Sequence, residues 1–466
     1  MKRPLILLAL PVLSVILFFS ISPSSTNDTP QTDFTKSLKS NPVIAFSNVT
    51  IIPMTEDGLV LEGHTVLITG DRITDILPSS KVRFTADTEV IDGSGKYLIP
   101  GLAEMHGHVP PTHPPANAPS YFNDEYVENT LFLYVAAGIT TVRGMLGYDH
   151  QLELKEKVSS GELIGPSLYL AGPSFNGGSV SSPEQAKEKV LLQEKEGWDL
   201  LKIHPGLTLE EYNTMAETAN EVGITFGGHV PAEVGIERAL EAGQLTIDHL
   251  DGYVAYLSAF EGAERDKKMN EIIRKTIEHN VWMVPTQALW ETIIGAGDYD
   301  RMKNYDELKY IPSAVKNGYN NWVSQNVDNN PELNISDALE HAELRQRLLQ
   351  EMNTAGVLIL MGTDAPQLFS VPGFSIHREL PKMVAAGMRP YEIIESGTKN
   401  VGLYFQDKDD FGTIEEGKRA DLILVDSNPL DDVTNIQNHS GVMVRGKWLS
   451  KEMIDKKLAE IESSYQ

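Results

Sequence analysis

From Gly101 to Thr363, apolar stretches of strand length alternate with helical patterns, and this alternation most narrows what the chain can become. The stretches are Gly101–Met105, Ile139–Arg143, Ser167–Ala171, Asp199–Ile203, Ile224–Gly228, Thr246–Asp248, Val281–Thr286 and Leu358–Thr363. Helical patterns such as Tyr126–Ala137, Pro183–Glu196, Leu209–Val222 and Val234–Ala242 lie between them. Gly138, Gly197, Gly223 and Gly243 follow these helices, where a left-handed cap is needed. Eight strands alternating with helices predict an α/β fold, a (β/α)8 TIM barrel. A doubly wound open sheet is the alternative, but it should carry a glycine-rich phosphate turn after its first strand, and the sequence has none there.

The flanks read differently. Val43–Ile52, Val60–Ile68 and Thr88–Ile91 are rich in Val, Ile and Thr and are separated by Gly-containing turns; Ala420–Asp426 and Gly441–Trp448 have the same character. Residues 43–100 and 408–450 are therefore expected to form a small β domain, a β-sandwich built from both ends of the chain, around a barrel at 101–407. One interval is too long for a crossover: Gln287 to Val357 is about 70 residues. It is polar and helix-prone and predicts a helical insertion at about 288–356 over one rim of the barrel.

Barrel active sites form at the C-terminal ends of the strands, and that is where the chemistry-bearing residues fall. His106 and His108 end the first strand, Lys202 the fourth, His229 the fifth, His249 the sixth and Asp364 the eighth. Two imidazoles two positions apart in a strand share a face and make half of a metal site. Each residue alone has an ordinary explanation as a loop donor, a solvent-facing lysine or a helix cap. All of them arriving at one rim from separate segments is hard to explain as core. His204 should share a face with Lys202 and is either a substrate contact or a packing residue. Tyr253, after the sixth strand, is a candidate donor to the reacting oxygen. Arg143 and Arg378 are candidates for a bidentate carboxylate clamp, with loop-bracing salt bridges as the alternative.

Composition removes other functions. There are no cysteines, so disulfides, thiolate metal sites and cysteine nucleophiles are all excluded. The net charge of −26 disfavours nucleic acid as a partner.

The motifs Leu98-Ile-Pro-Gly-Leu-Ala-Glu-Met-His-Gly-His108, Lys202-Ile-His, Gly228-His229-Val, Ile247-Asp-His249-Leu and Gly362-Thr-Asp364 resemble the amidohydrolase superfamily, as does Gly412-Thr-Ile-Glu-Glu-Gly-Lys-Arg-Ala-Asp421. The resemblance runs from about Pro42 to Lys451 and is closest to the imidazolonepropionase-like branch, which includes metal-dependent Xaa-Pro dipeptidases. It implies two divalent metal ions, with zinc the usual expectation for such ligands. It also implies that Lys202 is carboxylated and bridges them, with His106, His108 and Asp364 on one ion and His229 and His249 on the other. An unmodified Lys202 implies a one-metal site of His106, His108, His229 and Asp364. The implied activity is hydrolysis of an amide bond by a metal-bridging hydroxide, with Asp364 relaying the proton. The expected substrate is a small molecule or a dipeptide, held in a closed pocket beside its free C-terminal carboxylate. A cyclic-amide hydrolase, a lactone or ester hydrolase and a catalytically silent metal-binding protein are the alternatives; the intact ligand set argues against the last.

The start of the chain, Met1-Lys2-Arg3 followed by an apolar run to about Ile21 and a polar Ser/Thr/Pro stretch, describes an export signal over residues 1–30. The expected location is periplasmic or extracellular, and an uncleaved segment would anchor the protein to a membrane.

Overall fold

The structure, a computed structural model, describes residues 43–111 and 122–466. The expected export signal at 1–30 lies outside the described residues.

Strands β1 (Val43–Ile51), β2 (Leu61–Thr69), β3 (Arg72–Pro78), β4 (Thr88–Asp92) and β5 (Tyr97–Pro100) come from the N-terminal flank. They share one connected sheet with β13 (Leu422–Val425), β14 (His439–Val444) and β15 (Lys447–Ser450), in the order β15-β14-β13-β5-β1-β2-β3, with β4 on β1. The seam between the two ends of the chain is β5 against β13, antiparallel, Pro100 opposite Leu422 and Tyr97 opposite Val425. Alternate side chains from both flanks fill one apolar core, with Phe46, Val66, Ile68 and Leu98 packed with Leu422, Leu424 and Met443. Hydrophobic burial, not connectivity, therefore joins two segments separated by most of the chain.

Between the flanks lie β6 (Leu102–Gly107), β7 (Ile139–Gly144), β8 (Ser167–Leu170), β9 (Leu201–Ile203), β10 (Phe226–Gly228), β11 (Thr246–Asp248) and β12 (Trp282–Val284). They pair parallel and in sequence order, β6-β7-β8 and β9-β10-β11-β12. A doubly wound sheet reverses its strand order at a switch point; this order does not reverse. Every residue of β6 and β7 is buried, as expected of parallel strands covered on both faces. The parallel bridge Ala171–Leu200 links the ends of β8 and β9.

The eighth expected strand, Leu358–Thr363, is reduced to one bridge, Met283–Ile359. It still lies between β12 and β6: Leu360 N donates to Met283 O at 2.8 Å and Met105 N to Met361 O at 2.9 Å. The ladder is interrupted by a side chain. The Glu104 carboxylate accepts from His106 N (3.0 Å) and Thr363 N (2.7 Å), taking the place of backbone partners. Gly362 makes room for it, since a Cβ there would sit 2.9 Å from His106 N and 3.2 Å from Glu104 Oε1.

The helices begin and end where local chemistry directs. In Leu209–Val222, Thr208 Oγ1 accepts from Glu211 N and Glu211 Oε2 accepts from Thr208 N, a reciprocal cap. Gly223, at φ +79°, ends the same helix in the left-handed region that only glycine enters freely. The long interval after β12 is helical, with Gln287–Ile293, Tyr299–Met302, Ser313–Val323 and Ile335–Ala355. Met302, Leu308, Ile311 and Val323 from it pack with Phe132 and with Ile454, Leu458 and Ile461 of the C-terminal helix Lys451–Ser464. Among the described residues, no helix is long and apolar enough to cross a membrane.

Candidate active site

The C-terminal ends of β6, β9, β10 and β11, with the segment after Gly362, bring six of the expected residues together. His106 is buried in β6, and its Nε2 lies 3.0 Å from Lys202 Nζ and 3.7 Å from Asp364 Oδ1. His108 Nε2 is 2.5 Å from Asp364 Oδ1. His249 follows β11 at φ +63°, which turns its ring inward: Nδ1 is 2.7 Å from Thr286 Oγ1, and Nε2 faces Asp364 Oδ2 at 3.6 Å. His229 Nδ1 is held by Asp251 at 2.6 Å, and its ring centroid is 4.7 Å from that of His249. Asp364, also in the left-handed region at φ +64°, is tied to β6 by its own N–H donating to His106 O at 2.7 Å. Lys202 has space because β10 ends in glycine: a Cβ at Gly228 would meet Ile203 O at 2.6 Å and Lys202 Cδ at 3.0 Å.

Burial sets the electrostatics. It pushes the Lys202 amine down to about 8. Burial first, and then the Lys202 charge, holds His106 well below the ordinary imidazole value; burial and the neighbouring imidazoles do the same to His249. His204 is pushed down to about 3 by the same causes. Neutral imidazoles are the form that binds metals. Beneath them Asp248 is fully buried. Burial pushes its carboxyl up, but Arg143 and Lys202 outweigh that and hold it below the ordinary value. Its Oδ2 lies 2.8 Å from His106 Nδ1.

This set fits a divalent metal. His106, His249 and Asp364 offer ligand atoms all within 4.8 Å of one another. His249 Nε2 is buried, has no hydrogen-bond partner and points at the other two. A buried polar atom without a partner is destabilising, and a cation held there would remove the deficit. The donors are nitrogen and oxygen only, which suits zinc and similar ions.

Three expected residues lie elsewhere. Tyr253 is fully buried and its hydroxyl pairs with Thr276 Oγ1 at 2.7 Å, in the core and not on the cavity. Arg143 is spent below the floor: Nη2 donates to both oxygens of Asp248 (3.1 and 3.2 Å), Nε to Met105 O and Nη1 to Thr246 Oγ1. Arg378 makes a bidentate pair with Glu307 (2.9 and 2.8 Å) and lies over the Tyr305 ring, beside a separate cavity of about 220 Å³. Neither arginine has a free fork for a substrate carboxylate. His204 does line the cavity, its ring stacked 5.1 Å from that of His229.

The cavity over this floor measures about 560 Å³. Its walls were not read from the sequence: Tyr126 and Tyr148 come from loops and helices after β6 and β7, and Trp290, Ile293 and Tyr319 from the helical insertion. Asp248, Asp251 and Thr286, which hold the histidines or their neighbours, were also missed. Asp248 left a signal: an acidic residue inside β11 and a basic one inside β7, both in apolar strands, imply a buried pair.

The chain belongs to the amidohydrolase family, whose pattern matches residues 97–449. The resemblance carried by the histidine, lysine and aspartate motifs is thereby borne out. Among curated relatives, ochratoxinase from Aspergillus niger is 21% identical over 455 residues, covering 84% of this chain and 81% of its own. The 5-methylthioadenosine/S-adenosylhomocysteine deaminase of Thermoanaerobacter pseudethanolicus is 23% identical over 412 residues, 82% of this chain and 85% of its own. Similar solved structures include a Xaa-Pro dipeptidase with methionine in its active site (TM-score 0.66, 22% identity, 88% of this chain and 100% of that one). A bottromycin amidohydrolase superposes with a TM-score of 0.70 at 20% identity over 92% of this chain and 91% of that one. These similarities establish a shared fold.

Proposed function

We propose that this chain is an exported, metal-dependent hydrolase of an amide C–N bond in a small molecule, dipeptides included, working at the open end of a closed (β/α)8 barrel. The observation that carries the reading is the convergence of His106, His249 and Asp364 on one cavity floor, with the orphaned His249 Nε2 pointing into it. Family membership supports hydrolysis at carbon–nitrogen bonds.

His106, His108, His229, His249, Asp364 and a carboxylated Lys202 would hold two divalent ions; with Lys202 unmodified, His106, His108, His229 and Asp364 would hold one. Bound metal supplies Lewis acidity, polarising the scissile carbonyl and making water acidic enough to attack near neutral pH. Asp364, whose carboxylate lies among His106, His108 and His249, would accept a proton from the attacking water and return it to the leaving nitrogen. His204 borders the same space and would orient the substrate. The buried Asp248–Arg143 pair, 3.1 Å apart, would brace His106 from beneath.

The test is a hydrolysis screen of small amides and dipeptides with metal-loaded protein, joined to elemental analysis. The expected result is about two divalent ions per chain and release of amine. Asp364→Asn should lose on the order of 10²-fold or more in kcat, because Asn cannot relay a proton. Activity in that variant within a few-fold of wild type, or full activity with no metal, overturns the reading.

A further inference from the structure

The floor of the cavity is polar, but its wall, among the described residues, is aromatic. Phe122, Tyr126, Tyr148, Trp290 and Tyr319 line it with Ile293, and among the described lining residues there is no Lys or Arg. Among the described residues, the basic side chains packed beneath or behind the floor are committed. Arg143 is spent on Asp248, Met105 O and Thr246. Lys202 is buried against His106. Arg345 is buried behind the wall, with its guanidinium under the Trp290 ring and its N–H groups on His249 O, Pro285 O and Gln287 Oε1.

A substrate carboxylate resting on this wall would meet phenol and indole donors but, among the described lining residues, no cation to balance its charge, which is unfavourable. At longer range the net charge of −26 repels anions from the approach. An aromatic or bulky apolar group would instead exchange water for ring faces, the interaction such walls favour.

Resting on the amide-hydrolase reading above, we infer that the site selects uncharged amides bearing an aromatic or bulky apolar group on the side of the scissile bond that meets this wall. Free-carboxylate dipeptides are then poor substrates and their C-terminal amides better ones, the reverse of a carboxylate clamp. Trp290 determines this specificity from the helix Gln287–Ile293.

The experiment compares three probes on metal-loaded protein by titration calorimetry: N-acetylphenylalaninamide, N-acetylphenylalanine and N-acetylalaninamide. The neutral aromatic amide should bind about tenfold or more tightly than either of the others. Trp290→Leu should erase the advantage over the alanine analogue and leave the metal content unchanged. Equal or tighter binding of the free acid, or equal binding of the alanine amide by wild type, overturns the inference. Turnover is scored separately. Preference in binding with no hydrolysis of any amide supports this wall assignment and sinks the hydrolase reading; hydrolysis with a preference for free acids sinks the wall assignment alone.

Discussion

The floor and the wall of the cavity are built by opposite means. Floor residues sit at or just beyond strand ends, where hydrogen bonds to neighbouring strands fix the backbone: Asp364 N on His106 O, His108 N on Ala365 O, His249 N on Val284 O. Each floor side chain is then held by a charged or polar partner, as His229 is by Asp251 and His249 by Thr286. Wall residues come from helices and loops, and Trp290 and Tyr319 belong to the interval whose length first marked it as an insertion. On the proposed function, the floor would carry the chemistry and the wall the choice of substrate. Substitutions should separate the two: floor changes should strike metal, rate and stability together, and wall changes should alter selectivity with metal in place.

The largest stability effect expected belongs to the floor. Arg143→Met leaves Asp248 buried without its guanidinium, and breaking a buried pair from one side costs about 3–5 kcal/mol. Urea denaturation of wild type and variant measures it. A loss below about 1 kcal/mol would mean that Asp248 relaxes to water or to another cation, and the floor would be less rigid than its hydrogen bonds imply.

The start of the wall helix gives a pH test. The helix Gln287–Ile293, which carries Trp290 and Ile293, begins at two N–H groups that donate to Glu379, Gln287 N and Ala288 N both at 2.8 Å. Burial pushes this carboxyl from an ordinary 4.5 up to about 7, against the pull of those two hydrogen bonds. A folded-state value above the unfolded one favours the protonated form. Its contribution to stability is therefore complete below about pH 4.5 and is lost as pH rises through about 7. The loss amounts to roughly 3 kcal/mol at most. Glu379→Gln does not titrate, so its stability relative to wild type should improve between pH 5 and pH 8. Denaturation midpoints at the two pH values decide the matter. A pH-independent difference would show Glu379 ionised throughout, and the wall helix held by charge instead.

Legibility followed the same division. His106, His108, Lys202, His229, His249 and Asp364 could be placed from sequence because a strand end is a position that alternation and length define. The eighth strand was located correctly but not its form, because a side chain from β6, Glu104, replaces part of its ladder, and no local pattern in Leu358–Thr363 records that. Arg143 and Arg378 were placed near the right strands, but a bidentate fork serves an internal carboxylate as well as a substrate. Only the partners, Asp248 and Glu307, decide between them. The aromatic wall depends on packing between segments far apart in the chain, and periodicity within each segment says only that it is helical.

Tyr253 offers the smallest effect and the sharpest check on where the site stops. It follows β11 by only a few residues, so sequence position alone makes it a neighbour of His249. Its hydroxyl, however, reaches away from the cavity to Thr276 Oγ1, which also donates to Ile272 O at 2.9 Å. Removing the hydroxyl in Tyr253→Phe keeps the ring, leaves no void and still leaves Thr276 with a partner. One neutral hydrogen bond is lost, worth about 0.5–1.5 kcal/mol. Denaturation should register that small loss, while kcat/KM and metal content stay at wild-type values. A fall in kcat of tenfold or more with stability nearly unchanged would mean that the hydroxyl turns toward the substrate during turnover, and the boundary drawn between floor and core at β11 would have to move outward to include it.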